Sequence, residues 1–384
     1  MKKNRFILIV CACMCVVLSG VVLAIAFWQT PVHKHKLGEA RTYHVYNDHV
    51  YYTRQCQKDD HQERFNMNAT FIDIINNIKS IDKIVLEENI ILNSEITLKS
   101  YQTNTVIPQG INLRVNIDLN DKLLSTNYVL TKQNNSMFML DSTYGSIEFN
   151  VKNGSIYSQG LSYIFNFKTR EGNVKLNIEN VECKVLGVKA TPIYAHNANV
   201  KINASGSKFI SNTTTNDRDD FGVGVFINSD NIFSFDECCF EGGDAVYVRQ
   251  GTINLTDCIL QNKGLMAGTV QSIKSDDNFA AVGSCLATES YTSNTGTSKF
   301  VVNILGCKMY AQTNGNSDRV IYVFRTASSG YEYVINPNSA INILSCIFDQ
   351  DPAKGNDWDL INYPNDTAPQ VNQNEQWICG NISQ

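Results

Sequence analysis

Glu241, Asp244 and Arg249 lie together in "EGGDAVYVR" (241–249), and their types could act on a glycosidic bond. Inverting hydrolysis needs two carboxyls roughly 6.5–9.5 Å apart across that bond. A lyase needs Ca²⁺-binding acids with an Arg or Lys base on the same face. Further acids occur in "DRDD" (217–220), which would have to approach Asp244 from a loop. The plain reading of the cluster is a set of solvated turn residues, so Asp244, Arg249 and Glu241 are candidates to test for catalysis.

A second set is aromatic. Phe138, Phe165, Tyr194, Phe226, Tyr247 and Tyr322 each sit in the middle of a three-residue run flanked mainly by apolar residues. In Val225-Phe226-Ile227, Val246-Tyr247-Val248 and Ile321-Tyr322-Val323 the branched neighbours belong in a core. Turning the rings inward would instead bury Asn228 and Arg249, which is costly. The rings are therefore expected to form an outward column beside His196, Asn228 and Arg249. Such a strip suits the apolar faces of sugars, with amides and charges for their hydroxyls, and exposed aromatic strips mark interaction surfaces. Phe165, Tyr194, Phe226, Tyr247, Tyr322, His196, Asn228 and Arg249 are the candidate ligand-binding residues, for a polysaccharide or cell-surface glycan. The competing reading is β-propensity alone, with the rings lying under long loops at 261–299 and 311–319. Ala281-Val282-Gly283 interrupts the column.

A repeat must position these residues. Eight stretches begin at Ile117, Phe149, Leu176, Ile202, Phe233, Ile253, Val302 and Ile341. Each runs apolar, usually Asn, apolar, two polar or small residues, a sixth position, a spacer and a final apolar residue. Successive starts are 32, 27, 26, 31, 20, 49 and 39 residues apart, the 49 reading as two repeats with one poorly written. Units this short cannot bury their own apolar side, whereas stacked units can. Alternation with period two, bounded by Gly, Asn and Asp, makes them strands. Equivalent strands pair in parallel about 4.8 Å apart, and chirality favours a right-handed winding. The expected fold is all-β: a right-handed parallel β-helix (solenoid) over residues 67–350. Its first turn is capped by a short helix within 68–86, where Phe71, Ile74, Ile75 and Ile78 share a face and Thr70 is the N-cap.

"INLRVNIDLNDKLLS" (111–125) and "GGDAVYVRQGTINLTDCIL" (242–260) resemble the opening and regular coils of the pectin-lyase-like superfamily of right-handed β-helices. The resemblance spans roughly residues 80–350 and implies architecture rather than activity, because this fold hosts unrelated functions. In its polygalacturonase-like members, paired Asp residues open a strand like "DAVYV". Asp244 holds such a place, but Gly243 stands where the second carboxylate would be, and the accompanying His-Gly motif is missing. The resulting expectation is a non-catalytic, adhesin-like protein without cofactor. The alternatives are a polysaccharide lyase or glycoside hydrolase acting on uronate-containing glycans, with Ca²⁺ only for the lyase, and a purely structural rod.

Template position two reads Asp118, Asn150, Asn177, Asn203, Ser234, Asn254, Asn303 and Asn342, a stacked amide row whose expected role is structural. Position six is cysteine in four repeats: Cys238, Cys258, Cys307 and Cys346. Neighbouring Cβ atoms about 4.8 Å apart are too far for the usual disulfide, so a column of buried free thiols is expected. The opposing expectation for an exported chain is a disulfide framework.

Residues 6–28 are 23 uncharged, mostly apolar residues following Lys2, Lys3 and Arg5. Their length favours an uncleaved membrane anchor with the repeats outside the cell, while Ala24-x-Ala26 offers secretion after cleavage near Ala26. The expected order is 1–28 anchor or signal, 29–66 polar connector, 67–350 repeat domain and 351–384 C-terminal cap. The connector carries His33, His35, His44, His49 and His61, whose spacing matches no standard metal set, so no metal site is expected. A net charge of −5 argues against a nucleic-acid partner.

Overall fold

The computed structural model describes residues 36–102, 108–126, 135–160, 162–187, 190–196, 198–212, 222–262, 284–290, 292–293, 296–311, 320–325, 336–349, 361–362 and 370–371. These residues fall into two units. In the smaller, 36–38 with 54–63, Leu37 and Cys56 form an antiparallel bridge and Cys56 is buried. The larger unit holds all the repeats and is predominantly β. The expected span 6–28 lies outside the described residues, among which no helix is long and apolar enough to cross a membrane.

The connector expected at 29–66 contains strands. Thr42–Val45 pairs antiparallel with Val50–Gln55 and parallel with Lys83–Leu86, and Gln62–Met67 follows. Tyr43, Val45 and Val50 turn into the core, a short alternation masked in sequence by polar outer neighbours. Helix α1 (Phe71–Asn77) forms as anticipated. Thr70 and Asp73 make a reciprocal capping box, and Phe71, Ile74 and Ile75 are buried.

Three parallel ladders follow, each built from equivalent strands of successive repeats. The first runs from Lys83–Leu86 through the leading halves of Asn112–Thr126, Ser146–Gln159 and Asn173–Leu186, and on through Val200–Ser205. It continues through the trailing halves of Val223–Asp236 and Asp244–Thr256 to Phe300–Leu305, Ala340–Leu344 and Ile361–Asn362. The second links Ile96–Lys99, Ser136–Ser142, Tyr163–Thr169, Thr191–His196, the leading halves of Val223–Asp236 and Asp244–Thr256, Leu286–Ser290 and Ile321–Arg325. The third includes Lys208–Asn212, Cys239–Gly242, Ile259–Asn262, Lys308–Ala311, Ile347–Phe348 and Gln370–Val371. The inward side chains of all three meet in one continuous aliphatic and aromatic cluster. Burying each Ile, Val, Leu or Phe there contributes about 1.5–3 kcal/mol.

The register revises three sequence expectations. Asn150 pairs with Asn116, not Asp118, so the first repeat begins at Val115 and carries extra residues in its turn. Ile253 pairs directly with Val302, so the 49-residue interval is one repeat with a long insertion. The tail expected as a cap contributes Ile361–Asn362 and Gln370–Val371 to the ladders.

Between the first and third ladders the later seven repeats turn at template position five, and the first, with its longer corner, turns at Asn120 and Asp121. Asp121, Asn153, Asn180, Glu237, Asp257 and Ser345 have φ of 49–59°, and Gly206 and Gly306 lie at 54° and 65°. The next residue plugs the corner. Ser207 Oγ donates to Ser205 O at 2.8 Å and accepts from Val181 N at 3.1 Å. Cysteine does the same work in four repeats: the Sγ of Cys238, Cys258, Cys307 and Cys346 reaches the carbonyl two residues earlier at 3.2–3.4 Å. All four thiols are free and buried. A left-handed L-residue costs roughly 1–2 kcal/mol. Gly306→Ala should therefore lower unfolding free energy by about that much, and more where its new Cβ meets Asp257 Oδ1. Ser345→Gly should raise stability. Urea unfolding of both variants checks this, and an unchanged midpoint for Gly306→Ala would contradict the role given to the turn.

Candidate functional site

Parallel pairing aligns Tyr194, Phe226, Tyr247, Ala287 and Tyr322 in one row of the second ladder. Ala287, in Leu286–Ser290, thus interrupts the aromatic row, while residues 281–283 lie outside the described residues. Tyr194 stacks on Phe226 with centroids 5.1 Å apart, and Phe226 lies 5.5 Å from Tyr247. The Arg249 guanidinium sits 5.4 Å from the Phe226 ring centre and 5.7 Å from that of Tyr247. None of these three rings belongs to the continuous core cluster, as the outward parity anticipated.

Their exposure differs from expectation. Phe226 and Tyr247 are fully buried, as nearly are Asn228 and Arg249, and among the described side chains of this set Tyr194 and His196 keep partial access. The Tyr322 side chain lies outside the described residues. Phe138 and Phe165 belong to the other row: Phe138 pairs with Phe165 and Phe165 with Ile193, and both rings are inside the core. The alternation of Phe165 and Phe167 with Asn166 and Lys168 carried that signal, but a three-residue window hides it. Tyr163, absent from the sequence candidates, stacks on Tyr194 at 4.3 Å and 8°.

The three catalytic candidates are all buried rather than solvated. Asp244 is fully buried and accepts hydrogen bonds from Ser284 N at 2.8 Å and Ser284 Oγ at 2.9 Å, clasping adjacent repeats. Glu241 is buried in the third ladder, beside Ile210 and Gln261 in register. Arg249 lies against the Phe226 and Tyr247 rings. The expected loop acids at 217–220 lie outside the described residues. Among the described residues no cluster of three His, Cys, Asp or Glu side chains is arranged for a metal ion. His44 instead contacts Glu87 at 2.6 Å and stacks on Tyr51.

An open groove of about 710 Å³ runs along the outer face of the first ladder. Its floor is the row Asn116, Asn150, Asn177, Asn203, Ser234 and Asn254. Asn150 Nδ2 donates to Asn116 Oδ1 at 3.0 Å, Asn177 to Asn150 at 2.6 Å and Asn203 to Asn177 at 3.0 Å. The row continues beyond the groove, from Asn303 to Asn254 at 2.8 Å and Asn342 to Asn303 at 2.7 Å. Asn150, Asn177 and Asn303 each donate one N–H and accept one along the row, which leaves the second lone pair of each amide oxygen for other partners. Asn116 Nδ2 donates to Asp82 O at 3.1 Å, and the Nδ2 groups of Asn150 and Asn177 also reach Val115 O at 3.4 Å and Glu148 Oε1 at 3.5 Å. At one end Asp118 lies 3.2 Å from Lys83 and 3.7 Å from Lys152. Burial opposes ionisation of Asp118, yet hydrogen bonds from Asn153 and Lys83 outweigh it and hold its carboxyl below the usual range. Glu148 similarly joins Arg114 at 3.5 Å and Lys175 at 3.4 Å. Exposed pairs of this kind add little stability. Each carboxylate is shared between two cations, so both points keep an excess of positive charge.

No family model, curated protein or solved structure matches this chain.

Burial holds Cys183 and Cys285 protonated above the ordinary thiol range and raises Tyr163 above the phenol range, Tyr194 adding to the last. In the unfolded chain such thiols ionise near pH 9. Above that pH the unfolded state binds fewer protons than the folded state, so stability falls as pH rises. The melting temperature should decline between pH 9 and about pH 11, less steeply for Cys183→Ala. A level profile, or equal slopes for the two proteins, would refute the burial of this thiol.

Proposed function

We propose that the chain winds as a right-handed parallel β-helix, displayed outside a membrane by residues 6–28, and binds a glycan chain non-catalytically along the amide groove. The observation carrying this reading is the groove itself, which follows one amide row through six repeats. Five steps of about 4.8 Å give roughly 24 Å of regularly spaced donors and acceptors. A linear polymer bearing hydroxyls is the kind of ligand that such a periodic polar floor can hold at many points. The aromatic row is the lesser contributor, because Phe226 and Tyr247 are buried and, among the described side chains of the row, Tyr194 and His196 are only partly accessible.

The test uses the full chain in detergent micelles against a glycan array, followed by retention on insoluble polysaccharides. Glu179 is exposed on the groove wall, so Glu179→Trp should fill the groove without touching the core. Retention should fall about tenfold or more, the equivalent of about 1.4 kcal/mol, while Tyr194→Ala retains binding. Equal retention by Glu179→Trp and the wild type would remove the groove from consideration. Unsaturated or reducing-end products on incubation with polyuronides would replace binding by the lyase or hydrolase reading centred on Asp244 and Arg249.

A further inference from the structure

The amide row is broken once. All five asparagine-to-asparagine bonds run the same way, each Nδ2 donating to the Oδ1 one repeat earlier. Ser234 stands in register between Asn203 and Asn254 and interrupts the chain. Asn203 Oδ1 therefore receives no asparagine N–H, and Asn254 Nδ2 has no asparagine oxygen to reach. Two repeats separate these atoms' residues, about 10 Å along the ladder. The short serine side chain between them leaves room at the groove floor.

The flanks of Ser234 are distinctive. Residues 232, 234 and 236 alternate onto the same face. Ile232 is 56% exposed, offering a flat apolar surface beside the gap. Asp236 is exposed on the other side, and among the described residues its carboxylate forms no ion pair. The lysines Lys83 and Lys152 share Asp118 at the far end of the groove, away from Ser234.

We infer that the Ser234 gap is the recognition point of the groove and that it selects a neutral, hydroxyl-bearing glycan over a polyuronide. The inference rests on the groove reading above. One sugar ring lies against Ile232. Its hydroxyls accept from Asn254 Nδ2 and donate to Asn203 Oδ1 and to the Asp236 carboxylate. A carboxylate in the ligand would meet Asp236 with like charge and, among the described residues, no cation paired with it.

Ser234→Asn tests this directly, because it should close the amide row and fill the gap. In the full chain it is expected to keep or raise the melting temperature. It should weaken retention on a panel of neutral linear polysaccharides (glucan, mannan and xylan) about tenfold, as expected when paired hydrogen bonds to a ligand are lost. Ile232→Ser, an exposed position, supplies an independent variant should asparagine disturb folding, with a similar loss expected. Asp236→Lys should gain retention on polygalacturonate. Unchanged neutral-glycan retention in Ile232→Ser, or in a folded Ser234→Asn, overturns the inference while leaving the groove to stand on Glu179→Trp. Wild-type preference for polygalacturonate overturns the selectivity alone, and wild-type binding to no glycan removes both readings.

Discussion

A turn at positive φ in each repeat, one residue long in most and two at Asn120-Asp121 and Asn153-Gly154, carries the chain from the first ladder to the third, and the stacking of those turns keeps every other row aligned. Asparagine, aspartate and glycine take five of the six non-glycine and glycine turns up to Asp257 that precede the last two repeats, with Glu237 the exception. The turn exposes backbone groups that the sixth residue must satisfy, and a serine hydroxyl or cysteine thiol does so from inside the corner. The thiols therefore combine two roles, filling apolar space and donating to a turn carbonyl. That dual fit accounts for free cysteines in successive repeats without invoking disulfides for this column. Cys239, one residue further along, is by contrast disulfide-bonded.

The same alignment produces the two surface rows. In the first ladder it brings asparagines into hydrogen-bonding distance and orients their amides alike, so a structural row also becomes the floor of a groove. In the second it stacks Tyr194, Phe226 and Tyr247 and places Arg249 against two of the rings. The two rows differ in access rather than in regularity. Buried rings and a buried guanidinium strengthen packing, whereas the amide floor keeps spare oxygen lone pairs, and spare N–H groups at Asn203 and Asn254, along an open channel.

Much of the strand pattern was legible because period-two alternation is local. The template located seven of its eight stretches in the register that the ladders display. The opening one slipped by two residues because extra turn residues at Leu119 and Asn120 lengthen the corner without altering the apolar pattern around it. Insertion length was equally opaque: 49 residues between Ile253 and Val302 look like two repeats until Asn254 is seen beside Asn303. The outward expectation for Phe138 and Phe165 rests on three-residue runs, whereas Asp141 and Lys168 a little further along mark the opposite parity.

The chain's linear order by itself determined which segments alternate as strands, where α1 starts, and that asparagine and cysteine recur at set template positions. Those properties depend on spacing between near neighbours. Only the tertiary structure decided which rings are covered, that Asn116 rather than Asp118 begins the amide row, and that this row lies in a groove broken at Ser234. Each of these depends on pairing between residues some 20 to 50 positions apart, and no local pattern encodes the concavity or shielding that such pairing creates.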